Sequence, residues 1–175
     1  MRRWRLYPSR LVLWGLAAII ILADRLSKAW VLAHLTEYVP VDVFPWLAPI
    51  ASFTRLPNTG VAFGMFPQFG DIFKILSAGV IVAIIFFSRS LDPHDWFTHV
   101  ALGFMVGGAT GNLIDRLIYG YVVDFIDLNF WPFRSFAVFN LADASIVIGV
   151  GLLLVVVWVQ ERRAAHVNRA ENPDS

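Results

Sequence analysis

The sequence predicts a membrane-embedded all-α bundle of four transmembrane helices with a small β-layer on its outer side. Three observations carry that expectation. Of 175 residues, 58% are hydrophobic and 15% charged, whereas a soluble domain carries about 25% charged residues. Four apolar stretches approach the ~20 residues that a membrane span needs. Arginines flank the first and the last of them, and the positive-inside rule then sets both chain ends on the cytoplasmic side.

The first span is expected over about 11–32, after Arg2, Arg3, Arg5 and Arg10. It reads as a retained anchor rather than a cleaved leader. Its apolar run continues past Asp24 and Lys28 into Ala29-Trp30-Val31-Leu32-Ala33, with no small-residue cleavage site after it. The second span is expected over about 72–88, the third over about 96–118 and the fourth over about 141–159. A cytoplasmic tail, 160–175, carries Arg162, Arg163 and Arg169. An even number of spans makes the loop 89–95 cytoplasmic and turns the connections of about 33–71 and 119–140 outward. The whole chain, 1–175, is expected to form one integral membrane domain. It shows no internal repeat of the kind many transporters carry.

The outer connections are more than linkers. Val39, Val41 and Val43 alternate with Pro40 and Asp42, which suggests a short extended segment. Aromatic bulk follows in Phe44-Pro45-Trp46-Leu47, as suits a membrane interface. In the second connection 121–128 reads as a strand, Phe130-Trp131-Pro132-Phe133 as a turn and 135–139 as a return strand.

Composition removes several chemistries. There are no cysteines, hence no disulfide, thiolate zinc site or cysteine nucleophile. The four histidines are scattered and form no HExxH pair, so neither a metal nor a cofactor is expected. A net charge of +1 without a basic stripe gives no sign of nucleic-acid binding.

What remains is a set of polar residues in apolar company. Asp24 and Lys28, spaced i, i+4, share a helix face and read first as a neutralising ion pair. Gly103, Gly107 and Gly111 recur at four-residue steps with Gly108 beside them, a spacing that lets helices approach closely. Asn112 and Asp115 continue the Gly108 face toward the outer end, and Arg116 is placed to pair with Asp115 or another carboxylate. Pro57 to Gly64 is a turn by composition, in which Asn58 and Gly60 serve either backbone geometry or a substrate main chain. Asn140 is a plausible helix N-cap, and Asp143, three residues on, falls where the helix dipole favours an anion. Capping alone accounts for both. It does not account for Asp124, in Val122-Val123-Asp124-Phe125, an apolar strand pattern without a basic neighbour in sequence.

The sequence has no GxSxG, and Ser27 and Lys28 are adjacent, so a helix points them apart. A carboxylate pair is left. Two close aspartates share one proton and their pKa values separate. The ionised member can activate water while the protonated one polarises a peptide carbonyl, which is amide hydrolysis by general acid–base catalysis. The same acids also suit a proton-coupled transporter or channel subunit, and a non-catalytic membrane scaffold is a third reading.

Five ordered motifs then resemble one family: Asp24-Arg25-Leu26-Ser27-Lys28, Asn58-Thr59-Gly60-Val61-Ala62-Phe63, Gly107 through Arg116, Val122-Val123-Asp124-Phe125, and Phe139-Asn140-Leu141-Ala142-Asp143. Together they look like the bacterial lipoprotein signal peptidases (signal peptidase II). Ser27 and Val61 depart conservatively from the family pattern. The resemblance implies that Asp124 and Asp143 are the catalytic dyad of an aspartyl endopeptidase. It implies that Asn58, Gly60, Asn112, Arg116 and Asn140 line the site, and that Asp24, Lys28, Gly108, Asp115 and Ala142 are scaffold positions. The implied substrates are prolipoproteins whose cysteine carries diacylglycerol, cut just before that cysteine. The implied fold is a four-helix bundle with an outward β-cradle and a short surface helix, expected near 61–69. The implied location is the bacterial inner membrane, in contact with its lipids, with the site at the periplasmic face. The chain is expected to work as a monomer.

Overall fold

The computed structural model describes residues 7–60 and 70–171. Helix α1 (Pro8–His34) starts with Pro8 in its first turn, where a missing N–H costs nothing. A two-residue strand β1 (Pro40–Val41) and strand β2 (Ala51–Asn58) follow. Helix α2 (Gly70–Ser88) leads to α3 (Trp96–Ile118), whose N-cap Asp95 accepts from the Thr98 amide at 3.1 Å. Gly120, with φ +81°, then turns the chain out of α3 into strand β3 (Val122–Leu128). A left-handed residue just past a helix end favours glycine. After a 3-10 turn (Phe133–Ser135), α4 runs over Leu141–Glu171.

Three helical stretches among the described residues are long and apolar enough to cross a membrane: Asp71–Ser88, Trp96–Ile118 and Leu141–Arg163. Helix α1 has the length, at 27 residues, but Asp24, Arg25 and Lys28 interrupt its apolar run. Bulky apolar side chains such as Ile19, Leu22, Ile75, Phe86 and Leu154 point outward, as a lipid-facing surface requires. Helix α3 is central and packs against α1, α2 and α4.

The strands form one antiparallel sheet in the order β1-β2-β3. Ala51 pairs with Leu128 and Asn58 with Val122, with an irregularity between Phe53 and Leu56. The partner of β3 therefore comes from the first outer connection. The return strand expected over 135–139 does not form. Phe139 makes one isolated bridge, to Ile126, because the next residue already caps α4. The turn expected from Pro57 is also displaced: Pro57 and Asn58 end β2, and the chain bends at Thr59-Gly60. The surface helix expected near 61–69 lies outside the described residues.

Two apolar clusters bracket the bundle. Leu13, Ala17, Ile84, Leu102 and Val106 knit α1, α2 and α3 at the end where the chain begins. Val31, Leu35, Val123 and Phe125 seat the sheet on the far end of α1. Between them lies a buried polar layer containing Asp24, Lys28, Asn112, Asp115 and Asn140.

The small-residue column of α3 packs inside the bundle. Gly103 and Gly107 face α1, and a Cβ at Gly108 would collide with the Ala142 carbonyl and come within 2.8 Å of Ile146. Overpacking of this kind costs about 1–3 kcal/mol. Gly15, by contrast, has nothing within 4 Å of such a Cβ. Gly108→Ala is expected to lower the thermal midpoint of the detergent-solubilised protein, and Gly15→Ala to leave it unchanged or raise it. Equal midpoints for the two variants would refute the close contact between α3 and α4.

Candidate active site

Asp143 and Asn140 are held together by the start of α4. Asn140 Oδ1 accepts from the Asp143 amide at 2.9 Å, and Asp143 Oδ2 accepts from the Asn140 amide at 3.3 Å. This reciprocal pairing satisfies two amides that the helix would leave orphaned. The expected N-cap is thus present, and it spends only one oxygen of Asp143. The other, Oδ1, accepts from Asn112 Nδ2 of α3 at 2.6 Å.

Asp124 sits on β3 and is 1% exposed. Its Oδ1 accepts from Asn140 Nδ2 at 2.7 Å and its Oδ2 from Asn58 Nδ2 at 2.8 Å. One asparagine, Asn140, therefore bridges the two aspartates. Burial, and next the neighbouring Asp143 carboxylate, push Asp124 up to about 7; the hydrogen bonds from Asn58 and Asn140 and the charge of Lys28 pull the other way. Desolvation disfavours the charged form and a second carboxylate adds repulsion.

The remaining residues complete one network. Asn58 Oδ1 accepts from the Gly60 amide at 3.0 Å, which fixes the bend after β2. Arg116 reaches the Gly60 carbonyl at 3.4 Å and the Asn112 carbonyl at 3.5 Å. Asn112 Oδ1 accepts from Asn140 Nδ2 at 3.2 Å and from Lys28 Nζ at 3.0 Å. Lys28 also pairs with Asp24 and with Asp115, each at 2.8 Å. So the i, i+4 pair forms, but it is half of a larger cluster.

One expectation needs correction. Asp115 pairs with Arg25 and Lys28 of α1, not with Arg116 next to it in sequence. Adjacent residues on a helix point about 100° apart, and Asp115 faces α1 while Arg116 turns toward the bend at Gly60. Arg25 was therefore the missed member of the cluster. It donates to Asp115 and, at 3.1 Å, to the Tyr119 hydroxyl. Its local signals are its place beside Asp24 and within the first of the five motifs.

Among the described residues, no group of three His, Cys, Asp or Glu side chains is placed to hold a metal ion. Two acids on separate elements, each accepting from amide donors, lie at the sheet-bearing end of a bundle whose apolar helices mark an integral membrane protein. A model of the signal peptidase II family, described as "Signal peptidase (SPase) II", matches residues 16–159. The chain is 39% identical over 152 residues to a lipoprotein signal peptidase of Syntrophomonas wolfei, covering 86% of this chain and 95% of that one. It is 37% identical over 145 residues to that of Shewanella pealeana, covering 81% and 82%. A bacterial membrane enzyme solved by the in meso method at 2.3 Å superposes with a TM-score of 0.77 at 29% identity, over 83% of this chain and 87% of the other. The chain belongs to the signal peptidase II family, the one its five motifs resemble.

Proposed function

We propose that this protein is an aspartic endopeptidase that removes signal peptides from diacylglyceryl-modified prolipoproteins, cleaving on the N-terminal side of the lipidated cysteine. The observation that carries the reading is the pair Asp124 and Asp143, bridged by Asn140 in a chain of the signal peptidase II family. Burial and the Asp143 charge push Asp124 up to about 7, and the resting proton is assigned to it. Asp143, in the first turn of α4, supplies the carboxylate. Asp143 takes a proton from a water molecule, whose oxygen attacks the scissile carbonyl. Asp124 donates its hydrogen bond to that carbonyl oxygen as negative charge develops there. Collapse breaks the C–N bond, and the amine leaving group takes up a proton from the pair. Asn58 and Arg116, beside the dyad at the bend after β2, are placed to hold the substrate main chain.

The same reading makes α1 the fourth span. Its polar residues are internally paired, so they do not oppose insertion as exposed charges would. Further support comes from the other end of the bundle. Ser9 of α1 donates to the Pro93 carbonyl at 2.6 Å, and Gln160 of α4 to Asp95 at 3.3 Å. These contacts gather the first turn of α1, the α2–α3 loop and the late part of α4 at one end, where the arginines lie. We assign that end to the cytoplasm and the dyad to the periplasmic face of the inner membrane, in one domain that acts as a monomer. There a lipid-anchored cysteine can keep its acyl chains in the bilayer while its peptide bond meets water. Nothing in the fold or the comparisons favours the transporter reading.

The test uses the purified protein in proteoliposomes with a prolipoprotein in diacylglyceryl-modified and unmodified forms. Mass spectrometry should find the modified cysteine at the new N-terminus. The unmodified precursor, without an anchor at the site, should be cut at least about tenfold more slowly. Equal rates would remove the lipid from the recognition, and no cleavage of either form would remove the activity.

A further inference from the structure

Resting on the peptidase reading above, we propose that Lys28 is a positioning residue of the reaction: one buried cation that sets both the direction of the amides bound to the aspartates and the spacing of the backbone segments that carry them. Lys28 is fully buried. An ammonium has three protons and no acceptor. Lys28 donates to Asn112 Oδ1 at 3.0 Å, and its charge is paired with Asp24 Oδ2 and Asp115 Oδ2, each at 2.8 Å.

Each of those acceptors holds a part of the site. Asp24 Oδ1 accepts from the Ala142 amide at 3.1 Å. Asp115 Oδ2 accepts from the Val123 amide at 3.1 Å. Ala142 immediately precedes Asp143, and Val123 immediately precedes Asp124. Thus α4 and β3 are gripped, one residue before each acid, by two carboxylates that share Lys28 between them. The separation of the two acids follows from the geometry around one nitrogen.

The third acceptor sets direction. A buried asparagine amide can in principle face either way. Lys28 offers only protons, so Asn112 must present Oδ1 to it and Nδ2 to Asp143. The same Oδ1 accepts one proton of Asn140 Nδ2, and the other goes to Asp124 Oδ1. A reversed Asn112 would set donor against donor at Lys28 and at Asn140, and oxygen against oxygen at Asp143. The donor order at both acids therefore begins at Lys28. A buried ion pair serving stability alone is often replaceable by apolar packing; this one is tied to site geometry at three points.

The informative variant is the charge-balanced double Asp24→Asn/Lys28→Met. It removes one charge of each sign and keeps an acceptor for the Ala142 amide, and Arg25 still pairs with Asp115. Lys28→Met alone would leave a buried carboxylate uncompensated. The double variant is assayed in proteoliposomes on the diacylglyceryl-modified precursor, with wild type and Asp124→Asn alongside. A thermal midpoint within about 4 °C of wild type is expected. KM should stay within about threefold, while kcat falls about 100-fold, as for a small misplacement of reacting groups. A kcat within about threefold of wild type overturns the positioning role. So does a collapse of the thermal midpoint together with kcat, which would make Lys28 scaffold only. Failure of wild type to cleave the precursor would instead sink the peptidase reading itself.

Discussion

Asp124→Asn and Asp143→Asn are each expected to abolish cleavage of a lipidated precursor, with kcat down about 1,000-fold or more. The amide is nearly isosteric with the carboxylate, so the change isolates the proton. At Asp124 both oxygens accept from asparagine amides, so a new amide must set one donor against a donor. That costs about one hydrogen bond, roughly 1 kcal/mol. At Asp143 the oxygen that caps the Asn140 amide can be kept, and the new amide then meets the Asn112 donor at a similar cost. Both variants should therefore insert and retain a thermal midpoint near wild type. Substantial cleavage by either one, measured on protein shown to be assembled, would refute the dyad.

The second large effect is on pH. Asp124 lies at about 7, so it is protonated below that value and ionised above it. In its proposed role as general acid it is active only when protonated. The value of kcat/KM should therefore fall as pH rises through about 7, approaching about tenfold per unit on the far side. If Asp124 were the base instead, kcat/KM would rise through the same range, and the sign of the slope decides between the two. Asn58 supplies a further check. Its amide stabilises the ionised form of Asp124, so Asn58→Ala should move the falling limb to higher pH. A limb that stays in place or moves down would show that Asp124 does not produce it.

The helical layout was largely legible in the sequence because hydropathy is a local property. α3 begins at Trp96 and ends at Ile118, where the third apolar run does. α4 continues past its apolar run to Glu171, because a polar helix leaving the bilayer has no reason to stop at the membrane edge. The sheet was half legible. The apolar pattern around Asp124 marks a strand, but such a pattern does not name a partner, and Asn58, which donates to Asp124, is 66 residues away in sequence. A hairpin within one excursion was the shorter connection; the α4 cap at Asn140 left it no room.

The site was legible as a set of residue types and not as a set of contacts. Asn140 and Asp143 at i, i+3 announce a helix start, and the structure uses them so. Nothing in that spacing says that the second proton donor of Asn140 reaches Asp124. Lys28 reads as the mate of Asp24 because i, i+4 is visible along one helix. Its contacts with Asp115 and Asn112 run between helices and depend on how closely α1 and α3 approach. The exchange of Arg116 for Arg25 beside Asp115 has the same origin. Sequence neighbours are visible, whereas the rotation of one helix against another is not.

The bare backbone at Gly108 bears on more than stability. The carbonyl resting on it belongs to Ala142, the residue just before Asp143. The first turn of α4 thus rests on bare α3 backbone, and a methyl group added there would push Ala142, and Asp143 after it, away from α3. For a member of this peptidase family, the position of one proposed catalytic acid is in this way referenced to a stretch of helix that carries no side chain.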